Sequence, residues 1–491
     1  MNDNLKQRAL SAGLWYGGSR WAIQGLTWMI TIFVARILTP SDYGLFGFAL
    51  LVAGIVDLIN ELGLGAAIVQ QKNLTEEILE TVFWFALAIS LLVYAGVWLT
   101  APWIAAFFRQ PGLVPVLRVS TLSFPLGSLR IIPWNLFTKQ VDFKRRSLVE
   151  IAANITAALL TLRLASVGFG VWALVWGGLC KQTVTTILCL WLQPWWPRGR
   201  FSFTGLRSLY RFGLNVSASN ATWYLYSNAD FMIVGKLLGQ QMLGLYTMVF
   251  QLATLPLDRI MSVINQVAFP VYAQLQTQPE RRTKYFLKLA TLVTTIIFPV
   301  VVGAFLVVDV AIPLLLTAKW APIVVPLRIL CWIGIPMSLG VLVNPAILAL
   351  GRPDLFLRFN LISLLVLPVG FLVGTRFGIE GVCWAWLVLY PPLNIAWYLA
   401  TRKLVGFEWK AFFRALEPAT VCTLVMLACG SFARWATSSM PISVTRLLVL
   451  IGTGSLTYLG MLFLRYRAEL GEFRQLLRKA PQNIQPAAMM T

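Results

Sequence analysis

Apolar residues fill this chain in runs of about twenty, divided by short polar stretches along almost its whole length. Such a run is what a helix needs to cross roughly 30 Å of hydrocarbon at 1.5 Å per residue. A helix is the expected form, because within lipid each backbone polar group must be satisfied inside the segment. The pattern predicts fourteen spans, at 13–38, 43–63, 79–103, 113–137, 147–166, 168–192, 212–238, 243–267, 285–308, 325–350, 355–375, 379–400, 411–433 and 443–465. The first apolar run, behind Lys6 and Arg8, is too long for a cleavable signal peptide and lacks a small-residue cleavage site.

The pattern repeats. Val34 to Phe46 (VARILTPSDYGLF) lies without a gap over Val234 to Tyr246 (VGKLLGQQMLGLY), so that Arg36 meets Lys236, Leu38 meets Leu238 and Gly44 meets Gly244. Gly13-Leu14 matches Gly213-Leu214 at the same offset. Further on, Arg118 corresponds to Arg328, Phe124-Pro125 to Ile335-Pro336, and Phe169-Gly170 to Phe377-Gly378, at offsets close to 210. Two homologous halves are therefore expected, as in many transporters. The organisation read from this repeat is an N-lobe at 1–192 (spans 1–6), a linker at 193–211, a C-lobe at 212–403 (spans 7–12), two further spans within 404–466, and a tail at 467–491. The fold class expected is all-α, a polytopic membrane protein with two six-helix lobes and two extra C-terminal helices.

Charge sets the orientation. An even number of spans puts both ends on one side. With Lys6 and Arg8 inside, the basic clusters at Lys139/Lys144/Arg145/Arg146, Arg198 to Arg211, Arg281 to Lys288, Arg402 to Arg414 and Arg465 to Lys479 all fall in inner loops. That asymmetry follows the positive-inside rule and predicts cytoplasmic termini in a bacterial inner membrane. It also accounts for the net charge of +21, since these loops face anionic head groups. Nucleic acid is not an expected partner. The linker, LQPWWPRGRFSFTGLRSLYRFG from Leu192 to Gly213, reads as an amphipathic basic segment lying at the head-group level.

The chain has no histidine, and its six cysteines sit singly in apolar runs. Histidine-based acid–base catalysis, most zinc chemistry and a disulfide framework are thereby excluded. No metal and no cofactor are expected beyond coupling to H+ or Na+. The outer segments are too short for the catalytic loop of a membrane glycan polymerase or ligase, so an enzyme is not expected.

What remains is the set of polar residues at membrane depth, where a charge costs about 2.5–3.5 kcal/mol and usually faces a partner or a wet cavity. Arg20 lies in the first span, Arg130 in the fourth and Lys181 in the sixth, each without an equally deep acid nearby in sequence. Asp57 and Glu61 sit near the inner end of the second span, and Asp258 with Arg259 at the matching depth of the eighth. The offset of the first repeat places Arg20 opposite Asn220. The candidates for a central substrate cavity are Arg20, Arg130, Lys181, Gln24, Asn220, Asn228, Asp57, Asp258 and Arg259. Hydrogen bonding between helices stands as the alternative for the Ser and Asn residues, and structural pairing for Asp258 and Glu61. Three deep cations suggest an anionic guest.

Two stretches of the first hairpin, Ala35 to Gly44 (ARILTPSDYG) and Gly63 to Gln70 (GLGAAIVQ), resemble the signature of Wzx-type polysaccharide exporters in the multidrug/oligosaccharidyl-lipid/polysaccharide flippase superfamily. QVAFPVYAQLQ at Gln266 to Gln276 and FGIEGVCWAW at Phe377 to Trp386 support the likeness. The resemblance implies fourteen helices, an inner-membrane location, alternating access and export of a polyprenyl-diphosphate-linked oligosaccharide. It implies that polyprenyl lipid and membrane lipid are partners, with a polysaccharide polymerase and chain-length proteins as candidates. No functional residue is carried over from the family. The alternative is a cation-coupled multidrug exporter of the same superfamily, which would prefer deep acids for cationic guests.

Overall fold

The computed structural model describes residues 25, 27–61, 68, 75–140, 142–199 and 221–466. Among the described residues there is no strand. The first unit, Met1–Thr247, carries α1 (Thr27–Ile37), α2 (Pro40–Glu61), α3 (Glu76–Phe108), α4 (Leu113–Ser120), α5 (Ser123–Ser128), α6 (Ile131–Lys139), α7 (Phe143–Ser166), α8 (Val171–Leu192), α9 (Ala229–Leu237) and the start of α10 (Gln240–Gln274). The second unit, Met248–Thr491, holds the rest of α10, then α11 (Pro279–Leu315), α12 (Val324–Cys331), α13 (Gly334–Ala349), α14 (Pro353–Gly374), α15 (Gly378–Val405), α16 (Trp409–Ala436) and α17 (Val444–Arg465). The division falls inside α10, so the hairpin that opens the second repeat lies in the first unit.

Local sequence explains the helix ends. Thr75 accepts a hydrogen bond from the Ile78 amide ahead of Glu76 and Glu77, whose charges suit the positive end of α3. Asp142 caps α7 through the Arg145 amide at 3.1 Å, and Ser443 caps α17 through the Arg446 amide at 3.3 Å. At the first hairpin, Thr39 and Asp42 cap one another, with Pro40 at the first helical position where no amide is needed. The equivalent turn of the second repeat instead uses Gly239 with φ +88.

Eight helical stretches among the described residues are long and apolar enough to cross a membrane, and a bent pair, Ala318–Cys331 with Gly334–Ala349, would make a ninth. One of the eight, Pro353–Val405, contains two expected spans. In it α14 and α15 fold back at the 3-10 turn Thr375–Phe377 and pack together, with Gly374 and Gly381 letting their backbones touch. The expected count of fourteen is not reached by these helices. Expected spans 1 and 7 begin outside the described residues, and expected span 4 is not one helix.

Span 4 is instead three short helices, α4, α5 and α6, and the reason lies in its prolines. Pro125 has no N–H to give the carbonyl four residues back, Thr121, which accepts from the Phe124 amide at 3.1 Å instead. Pro133 likewise cannot serve Leu129, and the chain breaks again at Leu129–Arg130. Expected span 10 breaks by the same rule. Pro336 cannot reach Trp332, whose carbonyl takes the Ile335 amide at 3.3 Å, and the two pieces bend by 43°.

Large apolar side chains stand outward along the helices, such as Leu92 at 72% exposure and Leu464 at 83%, as lipid-facing residues do. The second unit has an aromatic core in which Phe286 stacks on Phe407 with centroids 4.9 Å apart, beside Tyr398 and Phe412.

Candidate functional site

The second proline break places Arg130 at the N-terminus of α6. Arg130, Trp134 and Thr138 follow at four-residue spacing and therefore share one face of that helix. Arg146, from the first turn of α7, lies across this face with its guanidinium 4.6 Å from the Trp134 ring centroid. It donates to the Thr138 hydroxyl at 3.1 Å and pairs with Glu150 at 3.4 Å, one turn along its own helix. Arg130 approaches the same indole at 5.3 Å and donates from Nη2 to the Gln182 side-chain oxygen at 2.9 Å. Gln182, on α8, donates in turn to the Ser123 carbonyl at 3.1 Å. Gly127 leaves room for it, since a Cβ there would stand 2.5 Å from the Gln182 amide nitrogen.

The Arg130 Nε is buried without a hydrogen-bond partner, and among the described residues no carboxylate forms an ion pair with Arg130. A neutral amide and an indole hold the side chain in place. Arg130, Trp134, Thr138 and Arg146 are all half-buried, so this face borders an opening and not the packed core. Unpaired positive charge held by neutral donors is an arrangement that favours an anion.

The other candidates fall out differently. Lys181 is exposed, one residue from Gln182 on α8. Asp57 is exposed near the end of α2, one turn beyond Gly54, which packs against the Tyr224 ring while the Tyr224 hydroxyl donates to the Leu51 carbonyl at 2.9 Å. Asn228 uses its amide locally, donating to the Tyr224 carbonyl at 3.0 Å and the Ser227 hydroxyl at 3.2 Å. Arg20, Gln24 and Asn220 lie outside the described residues. Asp258 and Arg259 are on α10, with side chains outside the described part.

Gln182, Trp134, Thr138, Arg146 and Glu150 are residues that the pattern of deep charges did not single out. Two signals were present: a second polar residue beside Lys181, and an aromatic and a hydroxyl spaced four and eight residues from Arg130. The sequence pattern also passed over Asp309, which pairs with both Arg328 (3.7 Å) and Arg434. The deeply buried Asp230 accepts from the Tyr246 hydroxyl at 2.5 Å.

Broken apolar helices, outward-facing hydrophobic side chains and a cationic cluster beside a proline break define a multi-pass membrane protein of the transporter kind. The chain belongs to the polysaccharide biosynthesis protein family, whose model matches residues 33–325. It is similar to the lipopolysaccharide biosynthesis protein WzxC of Escherichia coli K12, at 24% identity over 84% of this chain and 85% of that one. It is also similar to the succinoglycan biosynthesis transport protein ExoT of Rhizobium meliloti, at 24% identity over 94% of each. In fold it matches the lipid II flippase MurJ in an inward closed conformation, with a TM-score of 0.75 at 12% identity, covering 93% of this chain and 100% of that one.

Proposed function

We propose that this protein is a flippase that carries an undecaprenyl-diphosphate-linked oligosaccharide repeat unit from the inner to the outer leaflet of the bacterial inner membrane. It works by alternating access, with both termini cytoplasmic, and supplies repeat units to exopolysaccharide, capsule or O-antigen-type synthesis. A polysaccharide polymerase and chain-length proteins are its proposed partners on the far side.

The observation that carries the reading is Arg130, a half-buried cation in a broken apolar span, held by an amide and an indole and not by a carboxylate. A sugar diphosphate cannot cross hydrocarbon bare, because its polar groups would lose water without replacement. A cation fixed at depth replaces part of that water while the prenyl tail stays in lipid. Family membership and the names borne by WzxC and ExoT support the same reading. Two acids of the apolar helices and their connections, Asp230 and Asp309, are engaged by a tyrosine and by two arginines, which weighs against a site for cationic drugs.

Deleting the gene in its host is the test. Surface polysaccharide should disappear while lipid-linked repeat units accumulate in the inner leaflet, and the intact gene should restore export. Unchanged polysaccharide together with new sensitivity to cationic drugs would overturn the proposal in favour of multidrug export.

A further inference from the structure

The two arginines on α6 and α7 do more than supply positive charge, because one indole lies within reach of both. The Trp134 ring lies 5.3 Å from the Arg130 guanidinium and 4.6 Å from that of Arg146, so a rigid planar group sets the spacing of two cationic forks. One fork is oriented by Gln182 at 2.9 Å, the other by Thr138 at 3.1 Å. Glu150 offsets one of the two charges, and the Arg130 Nε has no partner. The cluster therefore presents fixed guanidinium N–H groups in two places and carries one net positive charge.

We propose that Arg130, Trp134 and Arg146 form a diphosphate subsite in which each guanidinium takes one phosphoryl group of a prenyl diphosphate. The inference rests on the flippase reading and deepens it. A monophosphate can engage one fork at a time, whereas a diphosphate engages both, so the subsite selects lipids carrying the second phosphoryl group. Arg146 comes directly after the basic pair Lys144-Arg145 at the inner end of α7, which makes this the place where the head group is loaded. The prenyl chain stays against the outward apolar faces of the helices.

The test uses the full-length protein in detergent and three probes: farnesyl diphosphate, farnesyl monophosphate and inorganic pyrophosphate. Wild-type protein should bind farnesyl diphosphate at least about tenfold more tightly than either of the others. Arg130→Gln and Arg146→Gln should each weaken that binding by about tenfold or more, the worth of one charge-assisted contact, and leave monophosphate binding nearly unchanged. Gln182→Glu keeps both arginines and puts a carboxylate in place of the amide 2.9 Å from Arg130. It should weaken diphosphate binding to a similar degree, which guards against misfolding of the arginine variants. Wild-type protein that binds none of the probes would overturn the subsite together with the flippase reading beneath it. Diphosphate binding that survives all three substitutions would overturn the subsite alone. Equal binding of inorganic pyrophosphate would overturn the lipid as its ligand.

Discussion

The fourth expected span of the first unit and the tenth of the second began as copies, and their differences are confined to chemistry. Each starts with an eight-residue helix bearing an arginine near its end: Arg118 lies 4.0 Å over Trp98, and Arg328 lies 5.0 Å over Phe305. Each then breaks four residues before a proline, and in each the residue before that proline rescues the orphaned carbonyl. Beyond the break they part. The offset of 210 that relates Arg118 to Arg328 carries Arg130 to Gly340, and the offset of 208 that relates Gly170 to Gly378 carries Gln182 to Tyr390. Where the first unit sets a cation against an amide, the second sets a glycine beside the Tyr390 hydroxyl and the Asn394 side chain. The backbone devices were kept after duplication, while the charge stayed in one copy. A transporter that must hold one diphosphate needs one cationic patch, and a second would cost the desolvation of another unpaired charge.

The largest effect that would break the comparison lies at the two hairpins. A Cβ on Gly44 would run into the Gln240 carbonyl, and a Cβ on Gly244 into the Pro40 carbonyl, positions related by the same offset of 200. The two turns therefore bury backbone against backbone reciprocally. Gly44→Val and Gly244→Val should each cost about 3 kcal/mol or more and strip the protein from the membrane fraction to a similar extent. Normal accumulation of one variant and loss of the other would show that the contact is not reciprocal.

A smaller, graded effect is expected at Gly170 and Gly378, which both start a helix with positive φ, +55 and +70. Alanine at either must adopt a left-handed backbone, at a cost of about 1 kcal/mol. At Gly170 the new methyl would also stand 2.9 Å from an Asp42 carboxylate oxygen, whereas at Gly378 nothing lies within 4 Å. Thermal unfolding in detergent should rank Gly170→Ala below Gly378→Ala, with both below wild type. The reverse order would mean that the Asp42 contact does not decide the difference.

The least perturbing measurement sharpens the repeat itself. Duplication of an even number of spans leaves equivalent loops on the same side of the membrane. Single cysteines at Lys144 and Asp354 should label from the cytoplasm, and those at Gln110 and Lys319 from outside, with export unaffected. Labelling of Lys144 and Asp354 from opposite faces in intact cells would end the two-lobe topology.

Much of this was legible in the residues alone. Hydropathy pointed to membrane helices, because crossing lipid imposes length and apolarity on each segment whatever it packs against. The repeat was visible at Gly44 and Gly244, at Arg118 and Arg328, and at Phe169-Gly170 and Phe377-Gly378, and the structure gives the last two pairs matching surroundings. The depth of Arg130 was equally plain. Its partners were not, since Arg146 and Gln182 reach it from helices that begin thirteen and forty-one residues farther on.

Proline marks the boundary between the two kinds of knowledge. The residues alone require that Pro125, Pro133 and Pro336 each leave a carbonyl without its usual donor, because the ring nitrogen carries no hydrogen. They do not say whether the helix then breaks, for Pro299 and Pro313 leave the same deficit inside α11 and that helix runs on from Pro279 to Leu315. A break depends on what the neighbouring helices offer the freed groups and on how the pieces pack. Packing across the chain is therefore what breaks the fourth span twice, and the second break sets Arg130 beside Trp134, Arg146 and Gln182.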